Sequence, residues 1–116
     1  MMYMMLLSHW EIPGEASDAE RDRLMGTLMQ WWQEGRTNGT IVDGNQLQPP
    51  DTATTVVIAD GRSTLVDGPF LESKEAIGGY GVLEVPDLDA ALALARTYPL
   101  AGSRIELRPV IERVAP

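Results

Sequence analysis

The chain has 116 residues, enough for one domain with a real core and too few for two. Acidic residues outnumber basic ones 17 to 9, a formal net charge of −8, and no basic cluster offsets it, which argues against nucleic acid and anionic membrane as partners. No cysteine is present, so disulfides, thiolate nucleophiles and Cys-ligated metals are excluded.

Tyr3 to Leu7 is apolar at both parities, which predicts a strand buried on both faces in the middle of a sheet. The stretch from Met1 to Leu7 lacks a basic leader and is too short for a signal core or a membrane span, so the expected location is cytoplasmic. His9, the only histidine, follows that strand at its C-terminal end, near a sheet mouth where a general base or a ligand would sit. The plainer alternative is a histidine exposed or hydrogen-bonded in a loop. Pro13-Gly14 makes a turn, and Ser17-Asp18-Ala19-Glu20 is a capping box. Leu24, Leu28 and Trp31, with Trp32 and Gly35, then keep a helical period to Arg36, and Asn38-Gly39 stops it. Trp31 and Trp32 point about 100° apart, so one enters the core while the other reaches a pocket wall or a dimer seam. Met25 and Met29, one turn apart, read as core or interface filler.

Thr40 to Gly44 predicts a second strand, and Pro49-Pro50 breaks the chain. Thr54–Ala59 and Ser63–Val66 are β-branched runs around Asp60-Gly61, a two-residue hairpin signal and an excursion from the basic fold. Gly79 to Val85 is the next strand, with Gly81, Leu83 and Val85 on one face and Tyr80 and Val82 on the other. Asp87 caps a second helix, with Leu88, Ala91, Leu92 and Ala95 as its expected buried stripe. Ile105, Leu107 and Ile111 alternate with Glu106, Arg108 and Glu112, a strand with one solvated face. The order β-α-β, hairpin, β-α-β is an α+β, ferredoxin-like split βαβ unit with both helices on one face of an antiparallel sheet. The other face stays open although its central strands are apolar there too. A second copy related by a two-fold axis is the simplest cover, and a homodimer is expected.

Asp67 to Tyr80 holds the only Phe and the only Lys, framed by glycines. Asp67-Gly68-Pro69 reads as a turn. An Asp in a turn usually accepts from the N–H two residues on, but here that residue is Pro69, which has none. The carboxylate of Asp67 must turn to the N–H of Phe70, the ammonium of Lys74, or a ligand. Two readings stand side by side: a structural turn feeding a central strand, or a loop in which Asp67, Lys74 and Phe70 line a cleft. Glu72 and Glu75 share one face of a short turn, and Gly78-Gly79 ends it. No His-x-His, His-Glu-x-x-His or clustered carboxylates point to a metal, no phosphate loop or dinucleotide fingerprint stands in the right context, and no cofactor is implied.

Several ordered pieces together carry a resemblance. They are Tyr3-Met4-Met5-Leu6-Leu7, Gln46-Leu47-Gln48-Pro49-Pro50 followed by Thr52 to Val56, and Val66-Asp67-Gly68-Pro69-Phe70 with Glu72, Lys74 and Glu75. Gly78-Gly79-Tyr80 and Ile105-Glu106-Leu107-Arg108-Pro109 complete the set. In these the chain resembles the DGPF-motif proteins, a branch of the YCII-related domain family. The resemblance implies one domain over residues 1–116, a ferredoxin-like fold pairing into a dimeric α/β barrel, and no settled activity. Relatives of the YCII type carry a His–Asp pair for acid–base work, a role that does not transfer to His9 by alignment. The enzymatic expectation is a small-molecule enzyme using His9, Asp67 and Lys74 in a cleft, with Phe70, Glu72, Tyr80 and Trp32 contacting the ligand. The alternative the resemblance offers is a non-catalytic ligand-binding or regulatory partner associated with an extracytoplasmic-function sigma factor. A third reading is a dimer in which the motif only builds the fold.

Overall fold

A run of apolar residues at both parities can satisfy its backbone and both its faces only inside a sheet, and that is where the first strand lies. In the computed structural model of the protein, which describes residues 1–8, 16–69 and 77–113, β1 (Met2–Ser8) pairs antiparallel on both edges. One neighbour is β5 (Ile77–Glu84), the other β6 (Ile105–Pro109). β2 (Ile41–Gln46) pairs antiparallel with the far edge of β5, giving the order β2-β5-β1-β6. This is an α+β chain with an antiparallel main sheet, compatible with the ferredoxin-like arrangement.

α1 (Asp18–Thr37) starts where the capping signal stands: the Ser17 hydroxyl accepts from the Glu20 N–H at 3.2 Å. It stops at Asn38, followed by Gly39 at φ 83°. Leu28, Trp31 and Gly35 form its buried stripe. α2 (Leu88–Arg96) is capped by the Asp87 carboxylate, which accepts from the Ala90 N–H at 2.9 Å. Its stripe differs from the expected one. Leu88, in the first turn, is 47% exposed, while Ala91 is buried and Ala90 and Leu94 pack on the core. Both helices cover one face of the sheet, against Tyr3, Met5 and Leu7 of β1 and Leu83 of β5, with Ile41 and Val85 beside them. Met2, Met4, Leu6, Tyr80 and Val82 take the opposite face and are only partly buried.

β6 ends at Pro109, and Ile111 is exposed beyond the strand rather than continuing its alternation. β2 contains an irregularity: Ile41 pairs with Leu83 and Asp43 with Val82, so Val42 is an extra residue. After it Gly44, not Asp43, faces the helices, where Gly44 and Ile41 are the buried positions of the strand.

β3 (Thr54–Ala59) and β4 (Arg62–Asp67) form a separate two-stranded ribbon, turned by Asp60 (φ 53°) and Gly61 (φ 72°). Positive φ at both central residues is the twist-matched two-residue turn that Asp-Gly encodes. The ribbon packs extensively on no other described element. The radius of gyration is 16.6 Å, against about 13 Å for a compact chain of this length.

Two glycine-to-alanine changes should act with opposite sign. A Cβ on Gly44 would stand 2.8 Å from the Tyr80 carbonyl oxygen and 2.7 Å from Trp32 Cζ3, and the backbone oxygen cannot yield. Gly44→Ala is expected to cost about 3 kcal/mol in urea unfolding, the upper end of overpacking penalties. Gly26, within α1, has nothing within 4 Å of such a Cβ, and Gly26→Ala is expected to add about 1 kcal/mol through helix propensity.

Candidate functional site

Trp31 and Trp32 divide their tasks by the 100° turn between them. Trp31 enters the core, its indole N–H donating to Thr97 Oγ1 at 2.8 Å, and that hydroxyl donates in turn to the Leu94 carbonyl at 2.7 Å. Its ring stands edge-on to Trp32, centroids 5.2 Å apart, and edge-on to Tyr98 at 5.1 Å. Trp32 lies over the sheet where two glycines leave room, Gly44 of β2 and Gly81 of β5. Larger residues at either position would lift the indole off the strands.

Beside the Trp32 indole is a cavity of about 150 Å³ between α1 and the sheet. α1 supplies Met25, Met29, Trp32 and Arg36, which recur at helical spacing; β1 supplies Leu7, and β2 closes the rim with Asn45 and Gln46. Arg36 is tied down, donating from Nη2 to the Gly44 carbonyl at 2.8 Å, and is the one cation lining the cavity among the described residues. Asn45 donates to the Tyr80 hydroxyl at 3.1 Å, so the rim is linked to the far side of the sheet. A cavity of this size admits a benzene-sized body. Its lining is mostly apolar with one fixed charge, the makeup of a small-molecule site. A larger hollow of about 620 Å³ follows Gln30, Gln33, Glu34, Thr37 and Asn38, all from the end of α1, with no opposing wall from another element.

Of the residues expected to form a site, Trp32 lines the cavity. Tyr80 sits on the opposite face of the sheet, since its neighbours Gly79 and Gly81 face the helices. Asp67 is the exposed last residue of β4. There Gly68, at φ 108°, donates from its N–H to the Ala53 carbonyl at 2.8 Å, and its own carbonyl accepts from Thr55 Oγ1 at 2.6 Å. The structure therefore does not bring Trp32 and Tyr80 into one hollow. His9, Phe70, Glu72 and Lys74 lie outside the described residues. The described chain on either side of them does meet: Ser8, which precedes His9, pairs with Ile77, within the Asp67–Tyr80 stretch. Arg36 and Asn45 are lining residues that sequence reasoning did not single out. The spacing 25, 29, 32, 36 was the available signal for Arg36; Asn45 follows the extra residue in β2, which no pattern announces. Among the described residues no group of three His, Cys, Asp or Glu could hold a metal ion. No helix among them is long and apolar enough to cross a membrane.

The fold defines an α+β protein with a helix-covered antiparallel sheet and a small apolar cavity beside it. The family model for the YCII-related domain matches residues 1–113. The chain is also 31% identical over 115 residues to an uncharacterized protein of Rhizobium meliloti (strain 1021), covering 95% of this chain and 92% of the relative. The chain belongs to the YCII-related domain family.

At the back of the aromatic row, the Tyr98 hydroxyl is buried with no hydrogen-bond partner among the described residues. Burial pushes its phenol from the ordinary 10 up to about 12. The folded state thus keeps a proton that the unfolded chain loses first. The stability this contributes is full below pH 10 and is lost as pH rises through about 12. Tyr98→Phe is expected to flatten that alkaline decline in chemical denaturation, and at neutral pH to leave stability unchanged or raise it by about 1 kcal/mol.

Proposed function

We propose that the protein is a homodimeric small-molecule enzyme of ferredoxin-like fold that runs acid–base chemistry at the sheet end where β1 stops and β5 begins. The single observation that carries this is the cavity under Trp32, with Leu7 of β1 in its wall two residues before His9. In this reading the cavity takes the apolar part of the substrate, and Arg36 favours a negative charge on it. His9 moves the proton, because imidazole is the side chain whose ordinary titration range spans neutrality. Asp67 orients it or carries its charge, and Lys74 steadies developing negative charge. Phe70 and Glu72 complete the ligand contacts from the motif loop. Tyr80, on the uncovered face, contributes from the dimer seam. That face supports the two-fold pairing, since Met4, Leu6 and Val82 would be buried by a second sheet and are otherwise wet.

A thermal-shift screen with small carboxylates and aromatic metabolites tests the cleft. A ligand that binds only the folded chain should add about 2.7 kcal/mol at a hundredfold excess over Kd. Met29 is an exposed cavity residue, and Met29→Gln should keep the fold while weakening that response about tenfold. His9→Ala should keep the response and abolish turnover. A ligand that binds with no turnover in the wild type would favour the non-catalytic, regulatory reading. No response across a broad panel would end the cleft reading altogether.

A further inference from the structure

The β3–β4 ribbon leaves more large apolar surface bare than any other part of the described chain. Register places Val56 directly across from Leu65, with Ile58 the next residue on that face. Val56 is 54% exposed, Leu65 72% and Ile58 78%. The other face carries Val57 and Val66, also exposed. A two-stranded hairpin on its own is marginal in water. Among the described residues neither a third strand nor a helix packs extensively against it, and its largely apolar faces invite association.

We infer that this ribbon is a dimerisation arm, laid by each copy of the chain through Val56, Ile58 and Leu65 onto the other copy. It rests on the homodimer of the preceding section and extends it, naming the element that holds the two copies together. The occupant is a second copy because each chain carries two apolar surfaces open to a partner, the exposed arm and the partly buried face of the main sheet around Met4, Leu6 and Val82. A two-fold axis lets each copy cover apolar surface of the other. The three contact side chains of the arm, Val56, Ile58 and Leu65, expose on the order of 400 Å². With the open sheet face they approach the roughly 800 Å² that each partner of a stable complex contributes. Val56, Ile58 and Leu65 themselves carry no charge, and the one charged strand residue on their face of the ribbon is Asp67, at the end of β4 opposite Thr54.

The doubly substituted arm, Ile58→Ser with Leu65→Ser, tests this by sedimentation and light scattering over a dilution series. The wild type is expected to be a dimer. The variant should keep its far-UV circular dichroism while its dimer Kd rises about a hundredfold. If the variant dimerises as tightly as the wild type, the arm is refuted while the homodimer stands. A wild type that is monomeric at micromolar concentration refutes both. A readout independent of the variant's folding uses the absence of natural cysteines: Arg62→Cys, nitroxide-labelled beside the hairpin turn, is mixed with cysteine-free, nitrogen-15 wild-type chain. Paramagnetic broadening of amides in the nitrogen-15 copy supports the arm, and sharp signals throughout that copy overturn it. Both measurements are separate from the ligand response of the cavity on the helix side.

Discussion

β1 is hydrogen-bonded along both edges, and the rest of the molecule follows from that placement. A strand with two neighbours cannot turn either row of side chains away from the sheet faces. Its odd-numbered row, Tyr3, Met5 and Leu7, is buried and seats both helices. Its even-numbered row is just as apolar through Met2, Met4 and Leu6, yet is only partly buried. The asymmetry between two chemically similar faces is the main physical tension in this fold. The strand keeps both rows apolar, because any polar residue placed at Met4 or Leu6 would sit in the centre of the sheet.

The helix side shows how a large aromatic residue is accommodated without lifting its helix. Gly44 and Gly81 remove two side chains from beneath Trp32, so the indole lies close over adjacent strands. Trp31 then meets it edge-on, and Tyr98 meets Trp31 in the same way. This row of rings spans the layer between sheet and helices. The cavity opens at its Trp32 end, where α1 carries methionines rather than branched residues. Flexible thioethers fill such a wall without fixing its shape.

Features governed by local physics were readable from the residues. Ser17 and Asp87 cap the helices they were expected to cap, Asp60-Gly61 turns the hairpin, and the two parities of β1 and β5 separate as their patterns require. What escaped depended on packing beyond the reach of a local pattern. Leu88 has the spacing of a buried residue but lies in the first turn of a nine-residue helix, where the sheet no longer covers it. Ile111 keeps the alternation of β6 after its pairing with β1 has ended. Arg36 read as the end of a helix, yet its guanidinium reaches back to the Gly44 carbonyl and so becomes part of a wall. Asp67 and Tyr80 stood close in the chain and in one motif, but β4 belongs to the ribbon and β5 to the main sheet.

The irregularity at Val42 has a bearing on how this chamber came to be shaped. Were the same residues paired in unbroken alternation from Ile41, Asp43 would turn inward, and a carboxylate would stand where the indole now rests on bare backbone. Only an outer strand, with a single neighbour to stay in step with, absorbs such an insertion without disturbing the rest. The floor of the chamber is therefore governed by how β2 is paired as much as by its composition. The same residues in step with β5 throughout would exchange bare backbone for an acidic floor while every other strand kept its place.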